Sequence, residues 1–187
     1  AGGTPYVPVA LTNATRNASY ASGSPGTSLV FQYTVVSSDI DADGASISAN
    51  GLTLNGGTIT KTGDAATNAV ITHSAVAAVD GTDEVDAVVP TFSSAAVNAA
   101  GTQVTLTYGE TLNATTAGTS AFTVTVAGSA ATISSATASG ATVVLALGST
   151  VLSGQSVTVA YTDPTGSDDA SAVQDSAGND AASLAAT

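Results

Sequence analysis

The chain has 187 residues, enough for one or two domains of immunoglobulin size. Its 14 acidic residues far outnumber two basic ones, Arg16 and Lys61, so the formal net charge is −12. A surface of this sign repels phosphate backbones and anionic lipids, so nucleic-acid binding is not expected and divalent cations are the natural counter-ions.

Two further features of the composition limit the fold. Cysteine is absent, so disulfide bonds cannot stabilise the chain, and bound metal or tandem packing would have to serve instead. No apolar run approaches the roughly 18 residues that would span a bilayer, so membrane insertion is not expected.

The first half carries short strand signals. Residues 1–28 are rich in glycine and proline and leave room for at most one strand, near residues 6–11. Residues 29–36 show the period-two alternation of a β-strand. The odd-numbered and even-numbered positions both include apolar side chains, which predicts a strand buried on both faces. Short apolar pieces separated by Asn50-Gly51 and Asn55-Gly56-Gly57 then predict a meander of antiparallel strands.

The second half has a cleaner strand pattern. Large apolar residues alternate with Thr or Ala. This alternation predicts strands at residues 104–108, 122–126, 142–147 and 157–161. Strands recurring with turn signals between them are typical of a β-sandwich. The alanine-rich residues 95–100 and 181–186 are short and lack helix caps, so loop or irregular strand is expected there.

An acidic stretch lies between the halves and ends at Pro90. It predicts a domain joint, with domains at residues 1–87 and 88–187. Its carboxylates would repel one another unless they were solvated or held by a cation, which predicts calcium at the joint. The alternative is a solvated linker that binds nothing specific. The acidic residues of this joint are Asp80, Asp83, Glu84 and Asp86.

A second acidic motif, Asp39-Ile40-Asp41-Ala42-Asp43-Gly44, places carboxylates at alternate positions before a glycine. This spacing lets a tight loop surround a hard cation, as at the start of an EF-hand loop. Asn50 stands at the twelfth position in place of the bidentate glutamate, and no flanking helices are predicted. Asp39, Asp41 and Asp43 are therefore candidate calcium ligands in a β-loop, and a polar turn is the alternative.

A third acidic group follows the last clear strand. These residues would lie at one end of a sandwich, and they are candidate calcium ligands. The alternative is that they belong to exposed acidic loops that keep the protein soluble. They are Asp163, Asp168, Asp169 and Asp175, with Asp180 just beyond.

From Pro90 onward the chain resembles a repeat of very large bacterial surface and secreted proteins, including a cyanobacterial cell-surface protein required for swimming. The resemblance rests on Pro90-Thr91-Phe92, on residues 101–108, on residues 121–126 with Gly128, and on residues 154–164 and 175–179. It implies an extracellular, immunoglobulin-like β-sandwich.

Residues 20–35, 39–44 and 51–59 resemble a different immunoglobulin-like repeat, common in type I-secreted adhesins. That repeat has further strands before this point. The resemblance therefore implies two tandem immunoglobulin-like β-sandwich domains, the first either incomplete or completed by a neighbouring strand, which would let subunits assemble into a fibre.

Enzyme signatures are absent. His73 is the only histidine, and no nucleophile elbow, phosphate-binding loop or zinc-protease motif occurs. The expected function is a structural or adhesive repeat protein at the cell surface, forming a fibre, surface layer or adhesin stalk that calcium stiffens. It would associate with itself or with tandem repeats. The alternatives are a module that binds glycans, such as those of cell surfaces, or ice, and an accessory domain of a hydrolase.

Overall fold

The computed structural model describes residues 3–79 and 84–187. Strands and turns make up this part of the chain, with one short 3-10 helix at Thr119–Ala121 and no α-helix. The predicted all-β class is therefore confirmed. The described residues include no helix with the length and apolar character needed to cross a bilayer. The chain divides into two compact units, Ala1–Val88 and Val89–Thr187, called unit 1 and unit 2.

The described residues of unit 1 form three small antiparallel sheets. The largest has the order β1-β2-β3, and the other two pair β4 with β7 and β5 with β6. The strands are β1 (Tyr6–Ala10), β2 (Thr15–Ser22), β3 (Val30–Gln32), β4 (Ile40–Asp41), β5 (Thr60–Lys61), β6 (Asp64–Asn68) and β7 (Val85–Asp86).

The prediction of at most one strand within residues 1–28 was wrong, because β1 and β2 form an antiparallel hairpin there. Strand β2 was not predicted because most of its side chains are small or polar, and only Ala18 is buried. Its order comes from backbone pairing on both sides, with β1 and with β3. Hydrophobic periodicity detects side-chain burial and misses strands held mainly by ladder hydrogen bonds.

The strand predicted at residues 29–36 is shorter and less buried than expected. Only β3 is regular, and Val30, Val35 and Val36 are all exposed. β3 is an edge strand in the described part of unit 1 and pairs only with β2. The chain turns after Val36, whose carbonyl accepts hydrogen bonds from the amides of Ser38 and Asp39.

Unit 2 is a β-sandwich of two antiparallel sheets, with orders β11-β10-β14 and β12-β13-β9-β8. Its strands are β8 (Phe92–Val97), β9 (Gln103–Tyr108), β10 (Phe122–Val126), β11 (Ser129–Ala131), β12 (Ile133–Ser139), β13 (Thr142–Leu147) and β14 (Val157–Tyr161). Val124 faces Val159 across one sheet, and Leu145 faces Val104 across the other. These four side chains are essentially inaccessible and form the centre of the core.

All four strands predicted in this half are confirmed, as β9, β10, β13 and β14. Two details differ. Residues 95–97 belong to the regular strand β8, where they pair with β9. Strands β11 and β12 were not predicted, because their alanine and serine side chains give little apolar contrast.

The C-terminal segment after Asp180 returns to the edge of β14. Leu184 bridges to Tyr161, and the Thr187 amide and carbonyl both bond to Val159. This segment is an irregular strand, as expected for residues 181–186. It places Asp180 beside the loop that leaves β14.

Candidate cation-binding clusters

The carboxylate of Asp39 lies at the centre of a hydrogen-bond network in unit 1. Arg16 donates to Oδ1 from Nε at 2.7 Å and approaches it with Nη2 at 2.6 Å. The Tyr33 hydroxyl and the Val36 amide both donate to Oδ2. Burial alone would raise the pKa of Asp39, but hydrogen bonds from Tyr33, Val36 and Arg16 outweigh it and lower the pKa. Donors of the chain itself thus engage both oxygens of this predicted calcium ligand.

Asp41 and Asp43 converge on the hydroxyl of Thr12. Thr12 Oγ1 lies 2.9 Å from Asp41 Oδ1 and 2.8 Å from Asp43 Oδ1. A hydroxyl carries one proton and can donate it to only one of these carboxylates. The Thr12 amide adds a hydrogen bond to Asp41 Oδ1 at 3.2 Å.

The second oxygen of Asp41 has no partner. Asp41 is 1% exposed, and its Oδ2 is buried without a hydrogen bond. An anionic oxygen in this position is costly unless a proton or a cation meets it. Asp41 and Asp43 together with Thr12 therefore present several oxygen atoms and too few donors, which is the chemistry that a hard cation satisfies.

The turn between β1 and β2 brings Thr12 to this place. Its neighbour Asn13 donates from Nδ2 to the Ser38 carbonyl at 2.6 Å and accepts from the Ile40 amide at 3.2 Å. The turn is thereby fixed along β4. Sequence reasoning missed Thr12, because it lies 29 residues from Asp41 and belongs to no motif.

The predicted joint ligands are only partly placed. Asp80 and Asp83 lie outside the described residues. Glu84 and Asp86 are exposed, and Asp86 lies in β7 opposite Ile40 of β4. The Asp86 Oδ1 accepts the Val88 amide at 3.1 Å. Calcium binding by these residues stays a prediction.

In unit 2, Asp175 organises a tight turn. Its Oδ1 accepts the amides of Ala177, Gly178 and Asn179 at 2.8, 2.8 and 3.0 Å, and its Oδ2 accepts Asn179 Nδ2 at 2.8 Å. Gly178 has a φ of 94°, which a side chain would disfavour. The carboxylate of this predicted ligand is therefore surrounded by donors of its own turn.

Asp163, Asp168 and Asp169 lie in the loop after β14. Asp169 accepts Thr165 Oγ1 at 2.6 Å and the Ser171 amide at 2.7 Å, and these hydrogen bonds lower its pKa. Asp163 accepts the Thr165 amide at 3.2 Å. The Asp168 Oδ1 faces the amide of Asp180 at 3.4 Å. Asp180, which the sequence placed next to this group but outside the candidate ligands, is thus part of the same cluster.

Unit 1 also contains an apolar groove of about 760 Å³. Tyr20 and Phe31 line it with their rings edge to face, 6.0 Å apart between centroids. Lys61 also lines it, and no acidic residue does so among the described residues. In a chain with a net charge of −12, the groove thus presents a basic side chain and no acidic one among its described lining residues.

His73 has an ordinary structural role. Its Nδ1 lies 2.8 Å from the Ser74 carbonyl, and its Nε2 accepts the Leu52 amide at 3.3 Å. This pattern corresponds to the neutral imidazole protonated at Nδ1. Both ring nitrogens are thus engaged with the backbone.

Comparison with known families matches residues 85–166 to SWM_repeat, described as "Putative flagellar system-associated repeat". The matched region contains all strands of unit 2 and confirms the resemblance predicted for this half. A crystal structure of the N-terminal part of the bacterial S-layer protein SbsC is similar at 21% identity and a TM-score of 0.42, covering 52% of this chain and 22% of that one. No curated protein gives a significant match.

Proposed function

We propose that this chain is a non-catalytic structural module of a bacterial surface protein, displayed outside the cell in a fibre, surface layer or stalk, with calcium stiffening its loops. The family match of residues 85–166 supports the surface repeat, and the all-β fold is of a kind suited to tandem arrays. The calcium rests on one observation: Asp41 and Asp43 share a single Thr12 hydroxyl while Asp41 Oδ2 is buried without a partner.

The proposed mechanism is mechanical. Thr12 belongs to the turn between β1 and β2, whereas Asp41 and Asp43 belong to β4 and the loop after it. A calcium ion bound to these oxygens would replace carboxylate repulsion with attraction and clamp the turn to the loop. Calcium is favoured over magnesium because it accepts irregular sets of oxygen ligands.

The experiment compares two variants of the full chain. The double variant Asp41→Asn and Asp43→Asn removes the proposed ligands, and Asp64→Asn is the control, because it removes an exposed carboxylate from the same unit. Calcium should raise the thermal unfolding midpoint of the parent and the control, because ligand binding to the folded state stabilises it. Calorimetry should show that the double variant has lost one calcium ion. Equal calcium binding by all three proteins would contradict the site.

The surface assignment is tested separately. Antibodies against the purified chain should label intact cells of the source bacterium, and protease added to intact cells should remove the label. Labelling that appears only after cell lysis would contradict display outside the cell.

Self-association through the groove is part of the proposal. β3 is the edge of the described sheet, and it exposes backbone groups beside an apolar surface that carries Lys61. An extended strand from a second copy would pair with β3 and cover Leu29 and Phe31. Leu29→Ser should then lower the mass measured by light scattering at high concentration. Leu152→Ser is the matched control, because Leu152 is an exposed leucine of unit 2. A concentration-independent monomer would contradict this part of the proposal.

Glycan binding is a second candidate function for the same groove. The rings of Tyr20 and Phe31 favour it, because sugars stack on aromatic faces. Tyr20→Ala should then abolish binding on a glycan array, whereas Leu152→Ser should not change it. An array with no bound glycan would leave self-association as the role of the groove.

A further inference from the structure

The sequence contains two Asn-Gly pairs, both in turns of unit 1, and the turns use them differently. Asn55 and Gly56 are the two central residues of their turn, with φ values of 50° and 76°. The Gly57 amide closes this turn by donating to the Leu54 carbonyl at 2.7 Å. Among the described residues, no hydrogen bond engages the Gly56 amide.

The pair Asn50-Gly51 is held by its neighbours. The Gly51 amide itself closes the turn, donating to the Ser48 carbonyl at 3.2 Å. The Asn50 amide donates to the His73 carbonyl at 3.1 Å, and Asn50 Oδ1 accepts the His73 amide at 3.0 Å. In this pair, therefore, both the glycine nitrogen and the asparagine side chain are engaged.

An asparagine followed by glycine can react with its own backbone. The Gly56 amide nitrogen gives its proton to solvent and attacks Cγ of Asn55. An N–Cγ bond forms, the Cγ–Nδ2 bond breaks, and Nδ2 leaves as ammonia, which gives a cyclic imide. Water then opens the imide at either carbonyl to aspartate or isoaspartate, so the net reaction exchanges ammonia for water without oxidation. Glycine favours the attack because it has no Cβ to obstruct it.

We propose that Asn55 is a modification site of this chain, where deamidation releases residues 3–5 from the turn at residues 54–57. Asn55 and Gly56 are both exposed, so water reaches the reacting atoms. The free Gly56 amide makes Asn55 the reactive asparagine, whereas the hydrogen bonds around Asn50 protect the second pair. The site requires neither bound calcium nor an occupied groove.

The side chain of Asn55 holds the segment before β1. Its Nδ2 donates to the Thr4 carbonyl at 3.3 Å. A carboxylate at position 55 has no proton to donate, so its oxygen would face the Thr4 carbonyl oxygen directly. Deamidation thus replaces a hydrogen bond by a contact between two acceptors.

The backbone of the turn also packs closely on this segment. A Cβ added to Gly3 would lie 1.8 Å from the Asn55 carbonyl oxygen, and one added to Gly57 would lie 2.5 Å from the Gly3 carbonyl oxygen. Isoaspartate inserts one methylene into the backbone at position 55. A turn lengthened in this way cannot keep such close approaches.

The effect should reach the outer edge of β1. Within its sheet β1 pairs with β2 alone, and bridges to Thr53 and Ser46 hold its other side. The Tyr6 amide donates to the Thr53 carbonyl at 2.9 Å, and the Thr53 amide donates to the Tyr6 carbonyl at 2.8 Å. Both bonds lie next to the modified turn, so deamidation should loosen this side of β1 and expose its backbone groups.

The first experiment measures where the full chain deamidates. The purified protein is incubated at mildly alkaline pH with a chelator, and its peptides are followed by mass spectrometry for a gain of about one dalton, the difference between an amide NH2 and a hydroxyl group. Asn55 should react at least about fivefold faster than Asn50, because Gly51 must first give up its hydrogen bond. In urea, where the turns are lost, the two rates should become similar.

The second experiment measures the release of the segment by hydrogen exchange. Asn55→Asp should speed exchange at the amides of Tyr6 and Thr53. Asn50→Asp is the matched control, because it adds the same charge in the same unit but keeps the Oδ1 acceptor for the His73 amide. The incubated parent, separated from unreacted protein by ion exchange, provides the same measurement if Asn55→Asp does not fold.

Equal rates at Asn55 and Asn50 in the folded protein would overturn the proposal, as would an Asn55 that stays intact. A preference for Asn55 of the same size in urea would show that local sequence, and not the turn, selects it. Unchanged exchange at Tyr6 and Thr53 in the deamidated protein would contradict the release of residues 3–5.

Discussion

Arg16 and Asp39 form an ion pair in which Asp39 is fully buried and Arg16 is 32% exposed. Arg16 Nη2 lies 2.6 Å from Asp39 Oδ1, and Tyr33 and Val36 occupy the other oxygen. One of the chain's two basic side chains is therefore used to satisfy an internal carboxylate. This relationship explains why Asp39, although it opens the acidic motif, differs in role from Asp41 and Asp43.

Arg16→Ala should destabilise the protein, because it leaves Asp39 buried without its cation. We expect the thermal unfolding midpoint to fall by several degrees. Lys61→Ala is the control: it removes the same charge from an exposed position in β5 and should change the midpoint little. Equal effects of the two variants would show that total charge, and not the Asp39 pair, determines stability.

Thr12→Val should weaken calcium binding in unit 1. The change keeps the side-chain shape but removes the hydroxyl that lies between Asp41 and Asp43. Thr12→Ser retains the hydroxyl and should keep the affinity of the parent. Calorimetric titration of both variants checks this, and equal affinities for Val and Ser would show that the hydroxyl is not a ligand.

Sequence patterns predicted unit 2 well and unit 1 poorly for a physical reason. Val104, Val124, Leu145 and Val159 alternate with small or polar residues, and the structure buries them. Among the described residues of unit 1, Ala18 is the sole buried hydrophobic side chain. The strands of unit 1 therefore lack the alternation of apolar and polar residues by which a strand is predicted from sequence.

The acidic clusters show the same limit. Spacing alone gave Asp39, Asp41 and Asp43 equal weight as calcium ligands. The contacts that distinguish them come from Arg16 and Thr12, which are more than twenty residues away. Sequence position also gave no sign that Asp180 would be buried, because its burial depends on the C-terminal segment returning to β14.

Tyr161→Phe and Tyr108→Phe should differ, although each removes one buried hydroxyl. The Tyr161 hydroxyl accepts the Val173 amide at 2.9 Å, so its loss leaves a buried donor unpaired and should cost about 1–3 kcal/mol. The Tyr108 hydroxyl is buried without a partner, so its loss should be neutral or stabilising. Urea unfolding of both variants measures the difference, and equal free energies of unfolding would contradict it.

Tyr108 should also make stability depend on alkaline pH. Burial, and secondarily the charge of Tyr161, raise the pKa of Tyr108 to about 12, above its ordinary value of 10.0. A raised pKa in the folded state means that the stabilising contribution is complete below pH 10.0 and is lost as the pH rises through about 12. Tyr108→Phe should lose less stability than the parent over this interval in urea unfolding. Parallel pH profiles would show that Tyr108 ionises equally in both states.

Leu145→Ala in unit 2 and Leu29→Ala in unit 1 should lower the free energy of unfolding by different amounts. Leu145 is completely buried in the unit 2 core, and truncation there should cost about 2–5 kcal/mol through lost burial and a new cavity. Leu29 is half-buried at the groove of unit 1, so its truncation should cost less than that of Leu145 in a dilute monomer. If a second copy covers the groove, Leu29→Ala should become more destabilising as protein concentration rises, because association stabilises the folded state by mass action. Unfolding midpoints measured over a dilution series test this, and a Leu29→Ala effect that does not change with concentration would contradict strand exchange at β3.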